Sequence, residues 1–457
     1  MSNLISTERA KIEEATASVN ALINSLIDGF SFVETGAFLT GNSFDGTPNG
    51  EGVITGYASI DGKPVYIAAQ NADVLGGSLG KAHADKIVNC MSMALRTGVP
   101  FLSIIDSKGA RLGEGLSVLE GYAAINAMAA RICGEIPHIC VVKGYAVGQI
   151  AEFVKTADFV IMSDSAVLCN NVPMQLASKA NNSAKFNEIF GAKAYISSGV
   201  ANFSYKNNAE LKQILFSLIK YLPSNNEGVN FVETSDDLNR TQAFTGVDAK
   251  SLLSALLDEQ KFVCVYTSAA LTCALGAING ESAAVIVTNG ALSLCDIKFA
   301  EKFVRIADSF NMSLVNLVNS ANVATTVEDE IGANSEVLAS LLYTVNCTQI
   351  PKVCVVTGQA IGYSYLAFAA KNSGYDYVLA LEDAVISPIE PEKAVEVCYI
   401  DEIRAAKNAD ETRNKIIERY EQIASNAAVA AKEGYVDNII DGTELRKYVV
   451  SALMMLR

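Results

Sequence analysis

One stretch of this chain occurs twice. Residues 136–149 read Ile-Pro-His-Ile-Cys-Val-Val-Lys-Gly-Tyr-Ala-Val-Gly-Gln, and residues 350–363 read Ile-Pro-Lys-Val-Cys-Val-Val-Thr-Gly-Gln-Ala-Ile-Gly-Tyr. Each copy predicts a buried parallel strand, because such strands are continuous apolar runs, followed by a Gly-x-x-x-Gly turn. Glycine lets the backbone turn sharply or lets a ligand approach it closely. The repeat therefore predicts two related units and a site built from turn backbone.

The duplication covers most of each half. Phe101-Leu-Ser-Ile-Ile-Asp-Ser aligns with Leu314-Val-Asn-Leu-Val-Asn-Ser, and a second pair of segments aligns beginning at Asp158 and Asp376. Predicted strands alternate with predicted helices in both halves, which indicates an α/β fold with parallel strands joined by crossover connections.

The length of 457 residues suits two domains rather than one core. A polar run at 223–241 predicts the boundary between them. We therefore expect domains at residues 1–226 and 227–457.

Composition excludes several classes of protein. The net charge of −15 argues against nucleic-acid binding, which needs a basic face, and requires local basic residues for any anionic ligand. The two histidines and the absence of Cys-x-x-Cys pairs predict no metal site and no Ser-His catalysis. No stretch approaches the ~20 apolar residues of a membrane span, and the N-terminus lacks a signal-peptide core, so we expect a cytoplasmic protein.

Four predicted turns follow buried strands, at 106–111, 144–149, 319–325 and 358–364. In parallel sheets ligands bind outside the carboxyl ends of the strands. A turn that opens a helix also aims backbone N–H groups at one point, which suits a developing oxyanion. These turns indicate acyl chemistry that stabilises an enolate or a ureido oxygen. The alternative is that the glycines only allow helices to pack closely on strands.

Several separated motifs, in order along nearly the whole chain, resemble the carboxyltransferase subunits of biotin-dependent acyl-CoA carboxylases and decarboxylases. The branch they resemble most contains propionyl-CoA carboxylase β chains, transcarboxylase and decarboxylase α subunits. The motifs are Asn71–Ile87, Asp106–Gly115, Tyr221–Asn226, Lys302–Asn311, Ile350–Tyr365, Ala394–Val397 and Ala431–Asp441.

The resemblance implies two tandem crotonase-like α/β domains related by duplication. The N-terminal domain would hold a coenzyme A thioester as substrate and the C-terminal domain would face biotin, with each active site shared between subunits. No biotin-attachment motif is evident, so biotin would arrive in trans on a biotin carboxyl carrier protein. Other implied partners are a biotin carboxylase or the membrane subunits of a decarboxylase, and further copies of this chain in a dimer-based oligomer such as a hexamer.

The resemblance also implies roles for individual residues. Gly148 and Gln149 in the first turn, and Tyr363 and Ser364 in the second, would act in catalysis through their backbone N–H groups. The positions implied to bind coenzyme A or biotin are Gly76, Gly77, Lys108, Gly109, Ala110, Arg111, Gly144, Gly358 and Gly362.

The chain departs from the family pattern at these turns. Gln149 and Tyr363 each stand where the family has a second glycine, and Lys108 replaces the first glycine of its loop. Because of these changes a second interpretation stays open, in which the chain is a degenerate carboxyltransferase paralogue that serves as a scaffold or regulatory subunit. A third alternative is a coenzyme A hydrolase or isomerase of the wider crotonase superfamily that uses Glu114 or Glu120.

Overall fold

The chain divides into two compact units, Met1–Gly228 and Val229–Arg457, here called the N unit and the C unit. The structure is a computed structural model, and it describes residues 2–41, 49–171, 186–244, 248–323, 326–332 and 334–457. Gly228 lies inside the polar run from which the sequence predicts the domain boundary. Each unit has its own sheet and its own apolar core.

The N unit contains an eight-stranded sheet in the order β1-β2-β3-β4-β5-β6-β8, with β7 paired to β5. Strands β1 to β3 are antiparallel and the remaining pairs are parallel. The strands are β1 (Val33–Thr35), β2 (Val53–Ile60), β3 (Lys63–Gln70), β4 (Phe101–Ser107), β5 (His138–Val147), β6 (Phe159–Ser163), β7 (Val167–Cys169) and β8 (Phe203–Tyr205). The dipeptide Asp61-Gly62 predicts a hairpin turn from the sequence, and the structure confirms it between β2 and β3, with positive φ at both residues.

The helices of the N unit cover the sheet with their apolar faces. Helix α2 packs beside α3, and Ile87, Met91 and Ile125 of this pair join the core formed with the strands. The helices are α1 (Ser2–Leu26), α2 (Lys81–Thr97), α3 (Ser117–Ile132), α4 (Ile150–Lys155), α5 (Phe186–Ile189), α6 (Ala192–Ser197) and α7 (Asn208–Tyr221).

The C unit repeats this topology, with an eight-stranded sheet in the order β16-β14-β13-β12-β11-β10-β9 and β15 paired to β13. Its strands are β9 (Phe262–Thr267), β10 (Leu271–Ile278), β11 (Glu281–Asn289), β12 (Ser313–Ser320), β13 (Lys352–Ile361), β14 (Tyr377–Leu381), β15 (Val385–Ser387) and β16 (Asn438–Ile440). Strand β4 corresponds to β12, β5 to β13 and β7 to β15. The same pairing scheme in both sheets is the structural counterpart of the sequence repeat.

The helices of the C unit include several short ones near the C-terminus. They are α8 (Ala249–Leu256), α9 (Leu294–Ser309), α10 (Val327–Ile331), α11 (Asn334–Cys347), α12 (Tyr363–Phe368), α13 (Pro391–Cys398), α14 (Ile400–Ala405), α15 (Ala409–Ala424), α16 (Ala427–Lys432) and α17 (Leu445–Leu456).

Residues 400–433 combine charged and apolar residues in a way that predicts one long helix, and this prediction is wrong. Asn408 and Asn426 each accept a backbone N–H with the side chain and thereby cap a new helix, so the segment forms α14, α15 and α16. The sequence also predicts one helix over residues 329–346, and the structure divides this segment between α10 and α11. The end of the predicted turn 319–325 lies outside the described residues.

Candidate active site

The first glycine of each repeat lies inside a strand, not in a turn as the sequence predicts. Strand β5 pairs with β6 as far as Val142 and with β7 from Tyr145, so Gly144 marks a change of partner. A Cβ on Gly144 would overlap Asp106 Oδ1, the atom that accepts the Tyr145 N–H at 3.1 Å. Glycine is therefore needed for the close approach of the Asp106 carboxylate to the strand.

The C unit has the same arrangement with an amide in place of the carboxylate. A Cβ on Gly358 would overlap Asn319 Oδ1, which accepts the Gln359 N–H at 2.9 Å. Strands β5 and β13 are thus held in the same bent course in both units, and both lead to the second glycine of the repeat.

The second glycine of each repeat makes the turn. Gly148 has φ of 81° and Gly362 has φ of 57°, a region that favours glycine. The Gly148 N–H donates to Cys169 O at 2.9 Å, and the Gly362 N–H donates to Ser387 O at 3.0 Å. Contrary to the prediction, Gly148 therefore has an acceptor already and does not offer its N–H to a ligand.

The N–H groups that follow each glycine are placed differently. Within the described ranges, no acceptor is present for the backbone N–H of Gln149 and Ile150, or for those of Tyr363 and Ser364. These groups open α4 and α12, where the first N–H groups have no partner inside the helix. We call Gly148–Ile150 the N-turn and Gly362–Ser364 the C-turn. Ile150 is missed by the sequence analysis, although the register of the repeat pairs it with Ser364.

Gln149 and Tyr363, where the resemblance implies glycine, adopt backbone conformations open to any side chain. Gln149 has φ of −60° and an exposed side chain beside the Glu152 carboxylate. The Tyr363 hydroxyl donates to Leu338 O of α11 at 2.7 Å, which anchors the ring on that helix. Burial raises the pKa of the Tyr363 phenol, so it remains a donor. Neither replacement removes a backbone N–H from its turn.

Ser364 is fixed by its own hydroxyl. Its buried Oγ lies 2.7 Å from Ser320 Oγ, and the Ser320 hydroxyl donates to Gly290 O at 2.7 Å. These contacts connect the C-turn to the end of β12 and to the loop after β11. The Ser364 side chain therefore has a structural partner, as the prediction of a backbone role requires.

The predicted loop residues of the N unit come together beside the N-turn. Three backbone bonds join the Gly76–Gly80 loop to the Lys108–Arg111 loop. The Leu79 N–H donates to Gly109 O and the Arg111 N–H donates to Leu79 O, both at 2.9 Å, and the Lys108 N–H donates to Gly76 O at 3.1 Å. Gly77 has φ of 65°, and its missing Cβ leaves room for Asp106 O. Gly109 Cα would lie 4.0 Å from a Cβ on Gly148, so this loop pair borders the N-turn.

The corresponding loop pair of the C unit is missed by the sequence analysis. Leu292 forms a bridge with Val323 as Leu79 does with Ala110, and the Leu292 N–H donates to Asn322 O at 3.2 Å. Gly290, with φ of 92°, lies at the start of this loop. The signal that could have found it is Asn289-Gly290 directly after a buried strand.

The Arg111 guanidinium lies inside the N unit, whereas the resemblance implies that it lines the coenzyme A side. It is 6% exposed, and its Nη1 lies 2.6 Å from Glu51 Oε2 and 2.9 Å from Glu114 Oε1. Glu114 Oε2 also accepts the Lys81 N–H, at 2.7 Å. Arg111 therefore connects loops within the N unit. Both carboxylate oxygens of Glu114 already accept hydrogen bonds, from Arg111 and from Lys81, which disfavours Glu114 as the base of a hydrolase or isomerase.

A buried chain of hydrogen bonds connects this ion-pair cluster to the end of β4. His83 Nδ1 lies 2.7 Å from Glu51 O, and His83 Nε2 lies 3.2 Å from Gln70 Nε2. Gln70 Oε1 accepts the Asp106 N–H at 3.1 Å. Burial lowers the pKa of His83 to about 3, so the imidazole is neutral and donates through Nδ1.

A cavity of about 580 Å³ lies beside the C-turn. It is bordered by the C-turn, the end of β15, the segment Ala370–Ser373 and helix α16. Its lining residues include Gly362, Tyr365, Leu366, Ser387, Pro388, Asn426, Val429, Ala430, Glu433 and Tyr435. This volume falls in the ordinary range of small-molecule sites, and the lining mixes apolar side chains with a few polar groups.

Comparison with known proteins identifies the family. The carboxyl transferase domain family matches residues 16–457. The chain belongs to the carboxyl transferase family. It is 32% identical to the methylmalonyl-CoA carboxyltransferase 12S subunit of Propionibacterium freudenreichii subsp. shermanii, over 95% of this chain and 87% of the relative. It is also 32% identical to the methylmalonyl-CoA decarboxylase subunit alpha of Veillonella parvula, over 94% and 88%.

The fold of this family member agrees with that of a solved relative. A transcarboxylase 12S crystal structure with methylmalonyl-CoA and methylmalonic acid bound superposes with a TM-score of 0.93, at 29% identity, over 99% of this chain and 94% of that one. The prediction of an α/β fold of two crotonase-like units is thereby confirmed. No helix in the described part of this carboxyl transferase is long and apolar enough to cross a membrane.

Proposed function

We propose that this chain moves a carboxyl group between carboxybiotin, carried on a separate protein, and a short acyl-CoA, in the carboxylase or the decarboxylase direction. The observation that carries the proposal is the pair of equivalent turns. In each of them, two successive backbone N–H groups lack an acceptor among the described residues. Two oxygens that gain negative charge in one reaction need two such donor sets.

The N-turn suits the thioester oxygen of the acyl-CoA. When the α-carbon loses a proton or carbon dioxide, negative charge develops on that oxygen as the enolate forms. The N–H groups of Gln149 and Ile150 would donate to it, and fixed backbone donors of this kind need no reorganisation during the reaction. Because the donors are backbone groups, the glutamine side chain does not prevent this role.

The C-turn and the adjoining cavity suit biotin. Biotin, when bound, would supply a ureido ring that carries the carboxyl group. The N–H groups of Tyr363 and Ser364 would donate to the ureido oxygen, and the cavity lined by Tyr365 and Pro388 offers about 580 Å³ for the ring system. The Tyr363 side chain lies against α11 through its bond to Leu338, so the hydroxyl is not a free group at the turn.

The proposed partners follow from this assignment. Biotin would arrive on a biotin carboxyl carrier protein, and this chain would form a homo-oligomer. The 12S relative is described as a hexamer assembly, which supports an oligomer for the present chain. The negative net charge of −15 leaves recognition of any anionic ligand to local cations.

The test is turnover of carboxylated thioesters. Methylmalonyl-CoA, malonyl-CoA and glutaconyl-CoA are each offered to the purified protein with free biotin, and decarboxylation is followed. Turnover of one of them supports the proposal and identifies the acyl group. Calorimetric binding without turnover, also when a biotinylated carrier protein is supplied, would favour the degenerate scaffold. Absence of both binding and turnover would refute the proposed function.

A further inference from the structure

The two turns differ in the charge of the residues around them. Lys108, in the loop beside the N-turn, aligns with Ala321 beside the C-turn. This replacement places a cation at one of two otherwise equivalent positions. The backbone around this position is alike in the two units, because each loop forms a bridge to a preceding loop. Ala110 bridges to Leu79 in the N unit, and Val323 bridges to Leu292 in the C unit.

The neighbouring lysine does not contribute a second uncompensated charge. Lys143 Nζ lies 3.2 Å from Asp106 Oδ2, and the two charges offset each other. In the C unit the aligned residues are Thr357 and Asn319, which are neutral. Among these three aligned pairs, Lys108 is the charge that differs between the units and that no ion pair within the described residues offsets.

The Lys108 side chain has a defined position on the surface. Its backbone N–H donates to Gly76 O at 3.1 Å, and a Cβ on Gly76 would come within 3.2 Å of Lys108 Cδ. The stem of the lysine therefore lies over a glycine that leaves room for it. Its Nζ lies 5.9 Å from the centre of the Tyr145 ring, within the range of a cation–π contact.

The Lys108 ammonium also has no carboxylate within ion-pair distance among the residues that the structure describes. The side chain is exposed, although the chain carries 50 acidic residues in all. An ammonium held over an aromatic ring and left without a counter-ion is available to an anion from outside the chain.

The position of Lys108 relates it to the acyl end of a substrate. Lys108 directly precedes Gly109, which borders Gly148, and Gln149 then presents its N–H. Resting on the proposed function, we propose that Lys108 and Tyr145 form an anion-binding position for the acyl-CoA. Its nearness to the N-turn favours the carboxylate of the acyl group as the anion. A phosphate of coenzyme A has the same chemistry, and the experiment separates the two.

The test compares dissociation constants of three thioesters by calorimetry, for the wild type, Lys108→Gln and Lys108→Arg. The thioesters are methylmalonyl-CoA, propionyl-CoA, and a methylmalonyl-pantetheine thioester that has no phosphate. We expect Lys108→Gln to bind both methylmalonyl thioesters about 10-fold more weakly than the wild type and to bind propionyl-CoA with unchanged affinity. Lys108→Arg should bind all three thioesters as the wild type does. Weakening confined to the two coenzyme A esters would assign the anion to a phosphate.

Lys206, an exposed lysine of the same unit, provides the control variant Lys206→Gln, which should bind all three thioesters as the wild type does. Unchanged affinity of Lys108→Gln for all three would overturn the inference and leave the proposed function standing. Failure of the wild type itself to bind any of them would overturn both.

Discussion

Tyr363 shows at the scale of one residue how a bulky side chain can occupy a turn position at which the resemblance implies glycine. Its backbone N–H opens α12, and its hydroxyl is bonded to Leu338 O at 2.7 Å, away from the N–H. The identity of the side chain is therefore separable from the backbone function. The same reasoning applies to Gln149, whose φ of −60° is accessible to any L-residue.

Two substitutions at Tyr363 should separate these functions. Tyr363→Ala and Tyr363→Pro both remove the ring and the bond to Leu338, but only proline lacks the N–H. Proline is well accommodated at the first position of a helix. We expect kcat of Tyr363→Pro to be about 100-fold below that of Tyr363→Ala, the usual loss for one oxyanion donor. Equal kcat for the two variants, measured by decarboxylation, would show that this N–H takes no part.

His83 should make the stability of the protein depend on pH. Burial lowers its folded pKa to about 3 from an ordinary value near 6.5, so the folded protein favours the neutral ring. The stabilisation is complete above pH 6.5 and is lost as pH falls toward 3. Between pH 7 and 5 this one group should lower the unfolding free energy by about 2 kcal/mol.

The measurement is urea unfolding of the wild type and His83→Gln at a series of pH values. The variant starts from a lower stability because it disturbs the bonds to Glu51 and Gln70. Its loss between pH 7 and 5 should nevertheless be smaller than that of the wild type by about the amount due to His83. Parallel curves for the two proteins would show that His83 does not titrate in this window.

At the scale of elements, the bend of β5 depends on the contact between Gly144 and Asp106. Gly144→Ala would push a methyl group into the carboxylate that accepts the Tyr145 N–H, and we expect a loss of about 1–3 kcal/mol in stability. Gly29→Ala is the matched control, because no atom lies within 4 Å of the added Cβ. Thermal unfolding of both variants checks this, and equal midpoints would contradict the assigned contact.

Elements with strong local patterns could be predicted from the sequence, and those that depend on caps or neighbours could not. Continuous apolar runs predict β4, β5, β12 and β13 correctly. The division of the segment 400–433 depends on the Asn408 and Asn426 caps, which helical periodicity does not detect.

The candidate site follows the same rule. The repeat predicts both turns. It does not predict that the Gly148 N–H is already bonded, because the acceptor is Cys169 O in β7. The internal pairing of Arg111 depends on Glu51, which is distant in sequence. Neither partner is visible in a motif, because each is brought to the site only by the fold.

At the scale of the whole molecule, duplication has produced two units with one topology and different surroundings at their turns. Lys108 adds a positive charge beside the N-turn, and a cavity adjoins the C-turn. Such divergence is expected if the two units bind different ligands, one an acyl-CoA and the other biotin. If both turns bound the same ligand, their surroundings would have no reason to differ in this way.

This division of labour can be tested with two defective chains. Gln149→Pro removes a donor from the N-turn and Tyr363→Pro removes one from the C-turn, so each homo-oligomer should have low turnover. If each site combines the N-turn of one subunit with the C-turn of another, as the resemblance implies, a mixed dimer contains one intact site and one doubly defective site. Random pairing then restores about a quarter of wild-type turnover.

Coexpression with two affinity tags isolates the mixed dimers and raises the expected recovery to about half of wild-type turnover, because every dimer then has one intact site. The control is a mixed dimer of two Gln149→Pro chains with the same tags, which should stay inactive. Inactive mixed dimers of the two different variants would mean that both turns must be intact on the same chain. Recovery, in contrast, requires that the two turns serve different steps and that neighbouring subunits supply them.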